Sequence, residues 1–178
     1  ILIAITPNDV RYMANTTDDE FSKEFAFNWY REDNSVVRSW KEFADSVLSI
    51  PMAHQMAVNY MILDGTKNKE TLKVMRAYQV YATQKVIEAI KRTDFKSGHN
   101  KLGYIWHTTG SGKTVTSFKT AWLASRLPNV DKVVFVVDRI ALTKQTSERY
   151  SAYDPDGDTD GNLNAGSVED TRNTADLS

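Results

Sequence analysis

GYIWHTTGSGKTVTSFKTA, residues 103–121, decides the fold class of this 178-residue chain. An apolar run, LGYIW (102–106), leads into HTTGSGKT (107–114). The segment after it, 113–126, carries Val115, Phe118, Ala121 and Trp122 at helical spacing. Strand, glycine-rich loop and helix in that order form a phosphate cradle. Gly110, Ser111 and Gly112 let the backbone wrap so that its N–H groups point inward, and the helix adds its positive end. Lys113 is placed to reach the β- and γ-phosphates, and the Thr114 hydroxyl to meet Mg²⁺. With Gly at about 7% of residues, G-x-G-K-[ST] arises by chance in fewer than roughly 1% of chains this long. The strict pattern G-x-x-x-x-G-K-[ST] asks for Gly at 107, where this chain has His107. A glycine-rich turn with an incidental Lys is the bland alternative, but Lys113-Thr114 stands directly at the helix start. His107 reads as a hydrogen-bonded packing residue that shapes the loop, with Trp106 and Trp122 as apolar partners, rather than as a general base.

Outward from the loop, KVVFVV (132–137) is a β-branched run of the kind buried on both faces of a parallel sheet, and 140–150 returns to helix. The order β-α-β-α predicts an α/β layer fold with a parallel sheet. Asp138, at the end of that run, reads as a helix cap or loop carboxylate, with a Mg²⁺-water ligand as the alternative. Upstream, residues 77–92 have the apolar period of an amphipathic helix. The run TKNKE (66–70) is the best linker and marks the expected domain boundary, giving units 1–65 and 66–178. Before it, ILIAIT, PND and VRYMA predict strand, turn and strand. Ser39 with Glu42 makes a capping-box signature for a helix over 40–49, closed by Pro51, and a second helix is expected over 52–62.

Composition excludes several classes. There is no Cys, and no apolar run approaches the roughly 20 residues needed to span a bilayer. The opening ILIAIT does not read as a signal peptide, and the missing initiator Met points to a fragment of something longer. The net charge of −1 hides an asymmetry. Residues 154–178 hold seven acids and only Arg172, leaving 21 basic and 16 acidic residues, a net of +5, in the remainder. Nine Lys/Arg against three acids fall in 67–101, either a solvated helix face or a phosphate-facing surface. In the acidic tail, Asp156, Asp158, Asp160 and Gly161 imitate the start of a Ca²⁺ loop. Position twelve of that register is Ser167, not the bidentate Glu, and Pro155 blocks an entering helix, so no Ca²⁺ site is expected.

YQVYATQKVIEAI (78–90), GYIWHTTGSGKTVTSFKTA (103–121) and VVFVVDRIALTKQT (133–146) resemble successive segments of the restriction (motor) subunit of type I restriction–modification enzymes, which are superfamily 2 DNA translocases. The resemblance covers most of the chain and is most specific over 76–146. In that family a His ahead of T-G-S-G-K-T is normal. The resemblance implies a P-loop, RecA-like parallel sheet, incomplete here, with 66–178 as the first part of the motor domain. It makes 1–65 the tail of an α/β endonuclease domain with a helical link, the nuclease residues lying before Ile1. Nucleotide binding by Thr108, Thr109, Gly110, Ser111, Gly112, Lys113 and Thr114 follows, with Lys113 and Thr114 catalytic and Thr114 on the metal. Arg76, Tyr78 and Gln79 match an adenine-reading element, although Gln79 and Gln84 also read as solvated helix residues. Arg139, Lys144 and Gln145 match a segment that touches the DNA backbone. The implied cofactors are ATP and Mg²⁺. The implied partners are double-stranded DNA and the modification (methyltransferase) and specificity subunits, in a bacterial or archaeal cytoplasm and with no membrane. The implied function is ATP-dependent DNA translocation and cleavage of foreign DNA by the whole subunit. The rivals are another P-loop NTPase or kinase using Asp138 for Mg²⁺, and a folded fragment with no activity of its own.

Overall fold

The computed structural model describes residues 1–16, 21–65, 70–94, 103–137 and 140–154, and the side chains of 140–142 are not among them. Asp138, Arg139 and the acidic stretch 155–178 therefore lie outside the described residues. The architecture is mixed α/β with small sheets. Strands β1 (Leu2–Thr6) and β2 (Asp9–Met13) form the expected hairpin about Pro7-Asn8, with Leu2 opposite Met13 and Thr6 opposite Asp9. The Asp9 N–H donates to Thr6 Oγ1 at 2.9 Å and closes the turn. A short β3 (Phe27–Asn28) adds antiparallel to β2, Tyr12 facing Phe27. Alternation along β2 sends Val10 and Tyr12 into the core and Arg11 outward.

The first helical segment departs from its signature. Helix α1 is Trp40–Phe43 and runs on as π-helix over Ala44–Leu48. The Ser39 hydroxyl makes no capping bond, and the Glu42 carboxylate, which would reach back to the Ser39 N–H in a capping box, is instead held by Arg31, whose guanidinium donates to both its oxygens at 2.5 Å. Ser46 and Ser49 turn back onto the carbonyls of Glu42 and Asp45, competition of the kind that distorts helices. Helix α2 ends earlier than its apolar run suggests, at Met52–Val58. Residues 61–62, expected as the end of that helix, instead belong to β4 (Met61–Asp64), paired antiparallel with β5 (Thr71–Val74). Ile62 and Asp64 alternate inward from β4, and the Asp64 carboxylate pairs with Lys73 across the hairpin.

Helices α3 (Ala77–Arg92), α4 (Lys113–Ala124) and α5 (Ile140–Tyr153) fall where periodicity places them. The flanking runs do not pair. Of the runs 102–106 and 132–137, read as strands, residues 103–106 and 132–137 are described and join no ladder among the described residues. A strand exists only where a neighbour accepts its backbone groups, whatever its composition. Tyr104, Trp106 and Val136 accordingly stand 85–90% exposed, while Phe135 lies against Tyr150 at 5.3 Å between ring centres.

One core joins the upstream segment to α3. Val10, Tyr12, Trp29, Val37, Phe43 and Met56 pack with Met75, Ala77 and Val80. Trp29 is its largest member, flanked by the rings of Tyr12 and Tyr81, each 5.7 Å away. A second cluster, Ile62, Phe118, Tyr150 and Tyr153, ties the β4–β5 hairpin to α4 and α5, and Val115 packs against both clusters.

Candidate nucleotide-binding loop

The loop at 107–112 is shaped by two glycines in the left-handed region. Gly110 has φ +76° and Gly112, the N-cap of α4, has φ +79°. Such angles are costly for any residue with a Cβ. Gly112 is constrained twice, since a Cβ there would sit 2.4 Å from Gln79 Nε2. The Thr108 carbonyl is the inner hub. It accepts from Ser111 N–H at 3.4 Å, Ser111 Oγ at 2.8 Å and Lys113 Nζ at 3.0 Å. The loop is therefore curled, with the Lys113 ammonium laid back across it and the first N–H groups of α4, which have no partner within the helix, at its base.

His107 is half-buried and meets Ser111 Oγ through Nδ1 at 3.0 Å. Because Ser111 gives its single proton to Thr108, the bond network assigns the Nδ1 proton to His107 as donor. The expected loop-shaping role fits this geometry, but the expected partners do not. The ring edge-on to His107 is Tyr78, 6.1 Å away, and Trp106 points into solvent. Burial, and then the charge of Lys113, hold the imidazole pKa below its ordinary 6.5.

From α3, two side chains reach the loop. Tyr78 Oη donates to the Ser111 carbonyl at 2.7 Å. Gln79 Nε2 donates to the Ser111 and Gly112 carbonyls at 3.2 and 3.3 Å, while its Oε1 accepts from the Arg76 N–H at 2.8 Å. Gln79 is 6% exposed, so it is not a solvated helix residue. Arg76 turns the other way, its guanidinium 4.1 Å above the Phe27 ring. Thr108, Thr109 and Gly110 are exposed and Thr114 is half-buried at the start of α4. Lys144 and Gln145 are exposed on α5, with Lys144 4.0 Å from Glu148. Sequence reading missed Lys119. It is 4% exposed on α4, its ammonium 4.1 Å over the Trp122 ring that Arg126 also covers at 3.4 Å. The signal was the i, i+3 and i+4 spacing of Lys119, Trp122 and Arg126 on one helix.

No helix among the described residues is long and apolar enough to cross a membrane. The family described as type III restriction enzyme, res subunit, matches residues 72–177, more than half of the chain. The type I restriction enzyme endonuclease subunit of Staphylococcus saprophyticus is 38% identical over 169 residues, 95% of this chain and 16% of the relative. Its counterpart in Staphylococcus aureus strain COL is 36% identical over the same shares. A Mycoplasma pneumoniae protein, described as the C-terminal part of a type I restriction enzyme endonuclease subunit, is 38% identical over 153 residues, 84% of this chain and 68% of the relative. The chain thus spans about one sixth of the staphylococcal subunits and about two thirds of the mycoplasmal one. Carried by a glycine loop at the head of α4 and by these likenesses along nearly its whole length, the chain belongs to the restriction-enzyme res-subunit family, among the endonuclease subunits of type I restriction enzymes.

Proposed function

We propose that this chain is the ATP-binding part of the motor of a type I restriction subunit, whose whole assembly hydrolyses ATP to translocate duplex DNA and then cleaves it. The observation that carries the reading is the 107–114 loop. Two left-handed glycines turn its backbone, and the Lys113 ammonium lies across the opening at the N-terminus of a twelve-residue helix. That arrangement suits a polyphosphate chain, because a helix N-terminus and a cation stand side by side at a glycine-rich turn. The Thr108 carbonyl holds Lys113 in place and yields it when a stronger acceptor enters.

Within this reading, the backbone of Thr108, Thr109, Gly110, Ser111 and Gly112 wraps the phosphates and Lys113 neutralises charge that grows on them. Thr114, half-buried at the second helical position, would hold Mg²⁺ through its hydroxyl, and the ion would supply charge neutralisation to the phosphates. Arg76 and Gln79 are assigned to the adenine side. For Gln79 this means exchanging its bonds to Ser111, Gly112 and Arg76 for the base edge. Arg139, Lys144 and Gln145 are assigned to the DNA backbone, where contacts give affinity without sequence information. Residues 102–106 and 132–137 are then strands of the motor's parallel sheet, completed by neighbours in the whole subunit. Residues 1–65 are the end of the endonuclease domain and its link, and 66–178 begin the motor. DNA specificity and modification fall to partner subunits in the bacterial or archaeal cytoplasm.

The decisive experiment is Lys113→Ala in the assembled enzyme. ATP hydrolysis, translocation and cleavage should be lost while the subunits still assemble, since Lys113 is exposed and contributes charge, not packing. Retained ATP hydrolysis would overturn the assignment.

A further inference from the structure

A loop that shows its N–H groups to a ligand must turn its carbonyls to the other side, and buried carbonyls need donors. Here the outer carbonyls face α3. The Ser111 carbonyl receives Tyr78 Oη at 2.7 Å, and Gln79 Nε2 spans the Ser111 and Gly112 carbonyls. Both ends of the Gln79 amide agree on its orientation, since Oε1 takes the Arg76 N–H at 2.8 Å. The start of α3 is itself fastened to the upstream segment. Tyr12 Oη donates to the Met75 carbonyl at 3.1 Å, and Arg76 lies on Phe27. One turn further on, Tyr81 Oη donates to the Tyr30 carbonyl at 2.9 Å, and Lys85 pairs with Glu32 at 2.6 Å.

Resting on the nucleotide reading above, we propose that Tyr78 is a positioning residue for the phosphate loop. Its hydroxyl holds the Ser111 carbonyl outward, so that the N–H groups of the loop face the nucleotide before it arrives. The β2–β3 face of the upstream segment is the support from which Tyr78 acts. The loop is therefore pre-set by residues outside the motor's own phosphate motif. Gln79 shares that task only until it turns to the base, whereas the Tyr78 hydroxyl stays on the Ser111 carbonyl. Tyr78 is half-buried, and removing its one oxygen leaves the edge-on contact of the ring with His107 in place.

The test is Tyr78→Phe in the full-length subunit within its assembled complex, measured beside Lys113→Ala. The expected result is a rise in KM for ATP of about three- to tenfold that exceeds any fall in kcat. Amide hydrogen exchange without nucleotide should quicken within 107–113, while the thermal midpoint of the subunit stays put. An unchanged KM, or a loss matched by general destabilisation of the subunit, overturns the positioning role. The two claims separate cleanly. If Lys113→Ala still hydrolyses ATP, the nucleotide reading itself has failed. If Lys113→Ala is dead and Tyr78→Phe binds ATP like the parent, only the inference about Tyr78 has failed.

Discussion

Gly112 leaves the space that the Gln79 amide occupies: a Cβ on Gly112 would lie 2.4 Å from Gln79 Nε2. To make room, the Gln79 amide would have to give up its bonds to the Ser111 and Gly112 carbonyls and to the Arg76 N–H. Gly110 has a similar positive φ, but a Cβ there would meet nothing within 4 Å. The two positions therefore separate backbone strain from collision. Gly110→Ala should cost about 1–2 kcal/mol of loop stability from its left-handed angle alone. Gly112→Ala carries that strain and displaces Gln79 as well. We expect Gly112→Ala to weaken ATP binding by at least about tenfold more than Gly110→Ala, measured by nucleotide titration of the full subunit. Equal losses would mean that the Gln79 contact does not shape the loop.

The support beneath the loop can be tested through stability. Tyr12 Oη is the donor to the Met75 carbonyl, and Tyr12 and Met75 are both 1% exposed. Burial drives the Tyr12 hydroxyl pKa well above its ordinary 10, so it remains a donor at every usable pH. Tyr12→Phe preserves the ring packing with Trp29 and strands the carbonyl. The expected cost is about 1–3 kcal/mol, seen as a lower urea midpoint at unchanged slope. A midpoint equal to the parent's would show that the carbonyl finds another donor.

How much of this was legible in the sequence depended on how local each signal is. The β1–β2 hairpin and helices α3, α4 and α5 rest on a turn dipeptide and on period, which are written within a dozen residues. β4 was hidden because MILD continues the apolar run of α2 and pairs with a strand on the far side of 66–69. The runs 102–106 and 132–137 show the converse: composition announces a buried strand, but ladder partners make one. Within the site, the glycine loop and Lys113 were plain from spacing. The contact between Tyr78 and Ser111, 33 residues apart, could not be, since it follows from how α3 lies against α4.

His107 should titrate below its ordinary value. Burial and the nearby Lys113 both disfavour its charged form, so the folded loop binds the proton less readily than the unfolded chain. The associated stability is complete above about pH 6.5 and is lost as pH falls through the lower folded value. Because Nδ1 already donates to Ser111, the titrating proton enters at Nε2 and leaves that bond intact. A proton NMR titration, with the His107 signal identified by its absence in His107→Gln, should give a midpoint under 6.5. A midpoint at or above that value would contradict the packing described for the loop.

Lys119 carries the last prediction. Its ammonium is buried on α4 and lies over Trp122, with Arg126 against the same ring, and burial followed by the Arg126 charge lowers its pKa to about 8. At pH 7 the group is still charged, so the folded chain bears the desolvation that the unfolded chain escapes. The sign follows from linkage: the folded state holds its proton less tightly than the unfolded state, whose value is near 10.5, so stability rises as pH climbs from about 8 towards 10.5. Lys119→Met keeps the apolar stem and removes the charge at all pH values. It forfeits the cation–π contact, worth about 0.5–2 kcal/mol, but relieves the larger burden of a buried cation beside a second one. The expected outcome at pH 7 is a thermal midpoint about 2–4 °C higher than the parent's, with the advantage shrinking between pH 8 and 10. A destabilised variant whose deficit does not change with pH would mean that the Trp122 contact outweighs desolvation, and that Lys119 is held in place by attraction to the ring.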